Sequence, residues 1–226
     1  YYRPGSLKAE NCRNGKRRIE KFCMEEGISH EICGKVIVAL NESELSALET
    51  IYQRGVENGI QCEMIDTDKL HELEPHVAGI KAIHVPEAGI VDYRQVCARM
   101  AEKVEEKDGN QILLASQVVQ MNSVGDRVIV TTSRVEYEAR FVVNCAGLHS
   151  DRVTSLTETP KAKIIPFRGE YFEVIPEAQH LCKNLIYPVP DPSFPFLGVH
   201  FTRMIGGGLE CGPNAVLAFA REGYTR

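Results

Sequence analysis

Apolar positions recur along this chain in two spacings, one near 3.6 residues and one near 2, and their alternation outlines a mixed α/β protein. Over residues 7–26, Leu7, Cys12, Ile19, Phe22 and Cys23 supply the apolar side of a helix, with Ser6 where an N-cap belongs and Gly27 where the chain must stop. Residues 35–40 (KVIVAL) read as a strand, and a helix from Asn41 or Ser43 to about Asn58 carries Leu45, Leu48, Ile51, Tyr52 and Val56. A short strand over 62–65, a brief helix capped by Thr67 and ended by Pro75, and a strand over 82–85 come next. Asp92 opens an amphipathic helix over 93–107, with Val96, Cys97, Met100, Ala101 and Val104 on one face. A β meander is expected over 112–119, 127–132 and 135–137, turning at Gly125-Asp126.

The meander leads into residues 140–150, RFVVNCAGLHS. Phe141, Val142 and Val143 form an unbroken β-branched and aromatic run, which suits a strand buried on both faces. Asn144-Cys145-Ala146-Gly147 then offers small side chains, and a helix capped by Ser150 would aim its partial positive end at the same spot. Such a turn suits a phosphate or a cofactor edge. Beyond it the pattern changes: 164–174 is a long strand broken near its start by Pro166 and Gly169, and 186–196 (IYPVPDPSFPF) holds four prolines on an extended path. Residues 197–203 and 209–211 should pair across the turn Ile205-Gly206-Gly207-Gly208.

Composition narrows the function classes. A formal net charge of −5 argues against nucleic acid as a partner, and the basic cluster Arg13-Lys16-Arg17-Arg18 reads as a solvated helix face. The 8 cysteines are scattered without a CxxC pair, as expected for reduced thiols in a cytoplasmic protein. No run of 18 apolar residues is present. His71, Glu72, Glu74 and His76 are metal-binding residue types, but no third ligand is implied, so a solvated helix end and no metal is the expectation. His149, Ser150 and Asp151 are the residue types of a hydrolytic triad. As neighbours at a helix start they cannot converge, and no GxSxG elbow accompanies them.

Several longer stretches resemble one family. The helix over 93–107, the strand with Val118-Val119, and Val142-Val143-Asn144-Cys145-Ala146-Gly147 leading to His149-Ser150-Asp151 are similar to flavin-dependent oxidoreductases of the D-amino-acid oxidase type. YYRPGSLK at 1–8, PFRGEY at 166–171, YPVPDP at 187–192, FLGVHFT at 196–202 and GPNA at 212–215 resemble, within it, the L-2-hydroxyglutarate oxidases and dehydrogenases. The resemblance implies an α/β protein in which part of a Rossmann-like FAD domain (1–33 and 82–157) interleaves with a mixed, antiparallel-rich substrate-domain sheet (35–80 and 161–226). It implies FAD as cofactor, contacted by Val118, Val119, Asn144, Cys145, Ala146 and Gly147. The implied reaction is oxidation of L-2-hydroxyglutarate to 2-oxoglutarate by hydride transfer to FAD, with oxygen or a quinone as electron acceptor. Another 2-hydroxy acid, an amine or glycerol 3-phosphate is the alternative substrate.

The family's GxGxxG turn and its acidic partner do not occur here. The chain therefore reads as the middle of a longer enzyme. By itself it should be inactive, hold no flavin, and leave its Asn144–Gly147 turn facing solvent. Self-association as a binding or assembly fragment is the reading from another class. The location expected is cytoplasmic, with peripheral contact to the inner membrane as a further option.

Candidate site residues have two readings each. His200 alternates with Val199 and Phe201 and could take a hydroxyl proton, or be a hydrogen-bonded strand residue. Arg168 could clamp a carboxylate or join a structural ion pair with Glu170 or Glu173. Tyr187, Tyr171 and Tyr2 could orient a carboxylate, or pack with a hydrogen-bonded tip. Asn214 and Thr202 could each donate to a substrate. Cys145 is a reactive thiol or a small residue beside FAD.

Overall fold

The structure, a computed structural model, describes residues 1–191, 193 and 198–224. Its elements run α1 (Leu7–Glu26), β1 (His30–Glu31), β2 (Lys35–Ala39), α2 (Leu45–Glu57), β3 (Glu63–Ile65), α3 (Thr67–Leu73), β4 (Lys81–Val85), β5 (Ile90–Val91) and α4 (Tyr93–Glu105). There follow β6 (Val118–Val124), β7 (Arg127–Thr132), β8 (Glu136–Ala139), α5 (Ser150–Thr154), β9 (Phe167–Glu173), β10 (Leu185–Pro188), β11 (His200–Arg203) and β12 (Leu209–Leu217).

The helix boundaries follow from side-chain chemistry. Ser6 Oγ accepts the Ala9 N–H at 3.3 Å to start α1, and Gly27 ends it at φ +67, a left-handed angle that glycine adopts without a Cβ clash. Asp92 caps α4 through the N–H groups of Arg94 and Gln95. At α3 the cap is Asp66, accepting from Lys69 N–H at 2.9 Å, and Thr67 is the first helical residue. Aspartate accepts as well as threonine does and stands one position earlier, so the expected cap moves by one.

The chain forms two compact units. The first comprises Tyr1–Glu102 and Gly169–Ala215. Its centre is a seven-stranded sheet in the order β3-β4-β2-β10-β11-β12-β9. β10 lies parallel to β2, with Tyr187 opposite Ile37, while the pairs β3–β4, β4–β2, β10–β11 and β11–β12 are antiparallel. This is the mixed, antiparallel-rich sheet the resemblance implies. β2 is covered on both faces. Val36 and Val38 pack with Ile65, Leu70 and Ala82 on the α3 side, and Ile37 and Ala39 with Leu48, Ile83 and Val189 on the α2 side. Cys23 and Ile28 meet Val96 of α4, and β1 pairs with β5. Burying a leucine such as Leu48 or Leu70 stabilises the fold by about 1.5–3 kcal/mol.

The second unit comprises Lys103–Arg168 and Val216–Arg226. It holds the three-stranded meander β6-β7-β8, antiparallel throughout. Three expectations change here. Residues 112–117 are not strand; a turn with Ala115 at φ +51 precedes β6. Phe141, Val142 and Val143 form no strand and stand 87%, 42% and 81% exposed, because no described strand pairs with them. Ser150 does not cap α5 but is its first residue. The compact units divide the chain by packing, at boundaries of their own. Residues 1–33 and 82–102 fall in the unit of the large sheet, where α1, α4 and the β1–β5 pair meet one another, and 161–168 and 216–226 fall in the unit of the meander.

Candidate active site

One face of the seven-stranded sheet gathers polar side chains that the alternation of β2, β10 and β11 points the same way. Tyr187 on β10 stacks on His200 of β11, ring centroids 4.1 Å apart and planes 17° from parallel. Tyr187 also shares a hydrogen bond with the Thr202 side chain, and burial raises its phenol above the ordinary value. His200 Nδ1 lies 2.9 Å from the Gly198 carbonyl. A carbonyl only accepts, so Nδ1 carries the proton and a neutral His200 keeps its lone pair on Nε2.

Lys35, the first residue of β2, places its ammonium over two rings, 4.9 Å from the centroid of Tyr187 and 5.1 Å from that of Tyr1. Burial lowers its pKa, since the charged form loses hydration, and no carboxylate among the described residues pairs with it. The Tyr1 phenol is raised, first by burial and then by Tyr187, and its hydroxyl has no hydrogen-bond partner among the described residues. Tyr1 and Lys35 line a cavity of about 210 Å³ with Arg13, Lys16, Asn58 and Glu87. Glu87 is engaged elsewhere, with Lys16 at 3.1 Å and with the Gln61 N–H at 2.7 Å.

The sheet leaves room for another tyrosine. A Cβ on Gly212 would stand 2.6 Å from Cδ1 of Tyr171, so the ring lies where only glycine allows it. His200 and Gly212 are direct neighbours in the β11–β12 register.

Of the residues singled out from sequence, His200 and Tyr187 thus stack, Thr202 joins them, and Tyr171 packs on Gly212 beside His200. Tyr2 is exposed, its carbonyl accepting from Asn58 Nδ2 at 3.0 Å. Asn214 is exposed on β12, two residues past Gly212. Arg168 donates from Nη1 to the Gly223 carbonyl at 2.9 Å, a tie within the second unit. Lys35 and Tyr1 were not singled out. The available signal was a lysine opening a strand whose other four residues are all buried.

In the second unit the Asn144–Gly147 turn forms and faces solvent. Asn144 closes it, donating to the Ser150 carbonyl at 2.8 Å and to Thr154 Oγ1 at 3.1 Å and accepting from the Ala146 N–H at 3.1 Å. Its amide therefore shapes the turn. Gly147 has φ +51 and nothing within 4 Å of where a Cβ would be, so a cofactor edge can approach the backbone of 145–147. That space and those small side chains fit one wall of a dinucleotide site. Val118 and Val119 sit at the start of β6, where the register shifts, with Val119 47% exposed. Cys145 is an exposed free thiol, and all eight cysteines are free.

The triad types separate: His149 Nε2 meets Glu222 at 3.1 Å, and Asp151 meets Arg221 Nη2 at 2.5 Å. Arg221 and the Ile164 N–H hold the Asp151 carboxyl well below its usual range. Glu74 is not a solvated helix end. It is fully buried and accepts the N–H groups of Lys183 (2.9 Å) and Asn184 (2.6 Å). Among the described residues no three His, Cys, Asp or Glu side chains form a metal set, and no helix is long and apolar enough to cross a membrane.

Known proteins share this sequence and fold. An L-2-hydroxyglutarate dehydrogenase of Indibacter alkaliphilus is 48% identical over 229 residues, covering 100% of this chain and 57% of the relative. That of Escherichia coli K12 is 45% identical over 228 residues, covering 100% and 54%. The chain spans about half the length of these curated relatives. The solved L-α-glycerophosphate oxidase of Mycoplasma pneumoniae with FAD bound matches at TM-score 0.82 and 22% identity, over 100% of this chain and 61% of that one. Residues 1–225 match the DAO family, described as FAD dependent oxidoreductase, and the chain belongs to that family.

Proposed function

We propose that the whole protein oxidises L-2-hydroxyglutarate to 2-oxoglutarate, and that the substrate lies against the sheet face carrying Tyr187, His200 and Thr202. The observation that carries this reading is the fixed tautomer of His200. Its Nδ1–H is committed to the Gly198 carbonyl, which leaves Nε2 free to accept the proton of a secondary hydroxyl, while Tyr187 stacked on the ring holds its plane. Tyr187, Thr202 and Tyr171 orient the substrate through their hydroxyls. Tyr2 and Asn214 are proposed as further substrate contacts. FAD, when bound, supplies the two-electron oxidation. Val118, Val119 and the backbone of Asn144–Gly147 would hold its edge. The names of the relatives point to the substrate.

The test is steady-state oxidation by the whole protein of L-2-hydroxyglutarate, its D enantiomer, lactate, glycine and glycerol 3-phosphate with an artificial electron acceptor. The reading expects the L-2-hydroxy dicarboxylate to give the highest kcat/KM, and a higher value for an amine or glycerol 3-phosphate would sink it.

For residues 1–226 alone we propose no turnover and no flavin retention, since no GxGxxG turn is present to hold the pyrophosphate. Purification with flavin absorbance near one per chain would contradict this. The exposed Phe141 and Val143 favour a second reading for this piece, self-association, which light scattering over a concentration series detects.

A further inference from the structure

We infer that Lys35, held between Tyr1 and Tyr187, is the cation that receives the distal carboxylate of a dicarboxylate substrate and so sets the preference for dicarboxylates. This rests on the substrate reading above and assigns a role to a residue that reading leaves unused.

Three observations carry it. The ammonium sits over two aromatic rings and has no carboxylate partner among the described residues. A half-buried cation without a counter-ion is costly, and such charges are normally paired. The acid in the cavity lining, Glu87, is tied to Lys16 and to a backbone N–H, so it does not supply the missing charge. Second, the cavity beside Lys35 and Tyr1, about 210 Å³, is far larger than one water, and the buried Tyr1 hydroxyl has no partner among the described residues. A carboxylate there would take a charge-assisted hydrogen bond from Lys35 and an ordinary one from Tyr1. Third, Tyr187 contacts both groups at once. One ring lies 4.9 Å from the Lys35 ammonium and 4.1 Å from the His200 ring. A substrate whose hydroxyl meets His200 would therefore direct its far end along the shared Tyr187 ring toward Lys35.

The chemistry separates L-2-hydroxyglutarate from L-2-hydroxyvalerate, which has the same five-carbon chain with a methyl in place of the distal carboxylate. The whole protein with FAD is assayed on both, beside Lys35→Met, which keeps the apolar stem and removes the charge, and Lys35→Arg, which keeps the charge. Wild type should prefer the dicarboxylate. Lys35→Met should lose roughly tenfold or more of that preference, through a higher KM for the dicarboxylate alone, with flavin content unchanged and Tm equal or higher. Lys35→Arg should recover part of it. An unchanged preference in a flavin-loaded Lys35→Met protein overturns the assignment. A Lys35→Met protein that unfolds or sheds flavin also overturns it, because an unpaired buried charge should not be needed for folding. Wild type that ignores L-2-hydroxyglutarate overturns both this inference and the substrate reading.

Discussion

Leu48, Leu70 and Ile83 of the first unit are exposed by 1% or less, whereas Phe141 and Val143 of the second stand 87% and 81% exposed. Every described hydrophobic cluster lies in the first unit, and among the described residues of the second only Met121 and Thr132 are buried. The two regions carry similar apolar runs, so hydrophobicity alone does not explain the contrast. β2 has strands on both edges and a helix on each face; among the described residues the 141–143 run has neither. The first unit therefore owes its order to packing. The second relies on strand hydrogen bonds and on polar ties such as Asp151 with Arg221 and Asn144 with Ser150.

The contrast breaks most sharply at single large-to-small changes. Leu48→Ala or Leu70→Ala should cost about 2–5 kcal/mol, since each empties a closed core. Phe141→Ala should stay within about 0.5 kcal/mol in the 226-residue chain. Urea unfolding of the three variants measures both, and equal losses would erase the distinction.

Glu74→Ala comes next, at about 1–3 kcal/mol, because it removes the buried acceptor of the Lys183 and Asn184 N–H groups. Those donors lie before β10 and Glu74 ends α3, so the loss should appear in the transition of the first unit only. A loss confined to the meander's amides in hydrogen exchange would contradict this.

A smaller effect belongs to Cys182, whose thiol is pushed up to about 12 by burial and then by Glu74. The folded state favours the protonated thiol, so its contribution is whole below the unfolded pKa near 8.5 and fades as pH rises toward 12. Comparing unfolding midpoints of wild type and Cys182→Ala across that window checks the sign: wild type should lose more on the alkaline side.

The smallest effect is expected for Asp151→Asn. Asp151 is held low by Arg221, so its contribution is present above the unfolded pKa near 4 and is lost as pH falls below it. Hydrogen exchange at neutral pH should quicken for the Ile164 amide, which Asp151 accepts, and the difference should vanish in acid. The first unit should not respond.

The same contrast decides how much was legible in the sequence. Ser6 and Gly27 bound α1, and Asp92 starts α4, because capping is local chemistry, whereas at Thr67 a better-placed neighbour, Asp66, takes the cap and Ser150 becomes the first residue of α5. The strands β1 and β5 went unread: two residues each, His30-Glu31 and Ile90-Val91, carry no periodicity and exist only through pairing with one another. The 141–143 run misled for the opposite reason. Its composition describes an environment that the described residues do not supply. At the site, Tyr187 and His200 were visible as isolated polar residues in apolar strands, but their stacking depends on the β10–β11 register. Lys35 was hidden, since a lysine at a strand end is ordinarily a solvated one, and only the tertiary placement of Tyr1 and Tyr187 over it makes it unusual.

The central claim is that the sheet face of Tyr187 and His200 is where a 2-hydroxy acid loses its proton. The most direct measurement is kcat of the whole protein and of its His200→Asn variant on L-2-hydroxyglutarate, each with flavin content verified by absorbance. The account predicts a fall in kcat of about 10²–10⁴-fold with flavin retained; a kcat within twofold of wild type would contradict it.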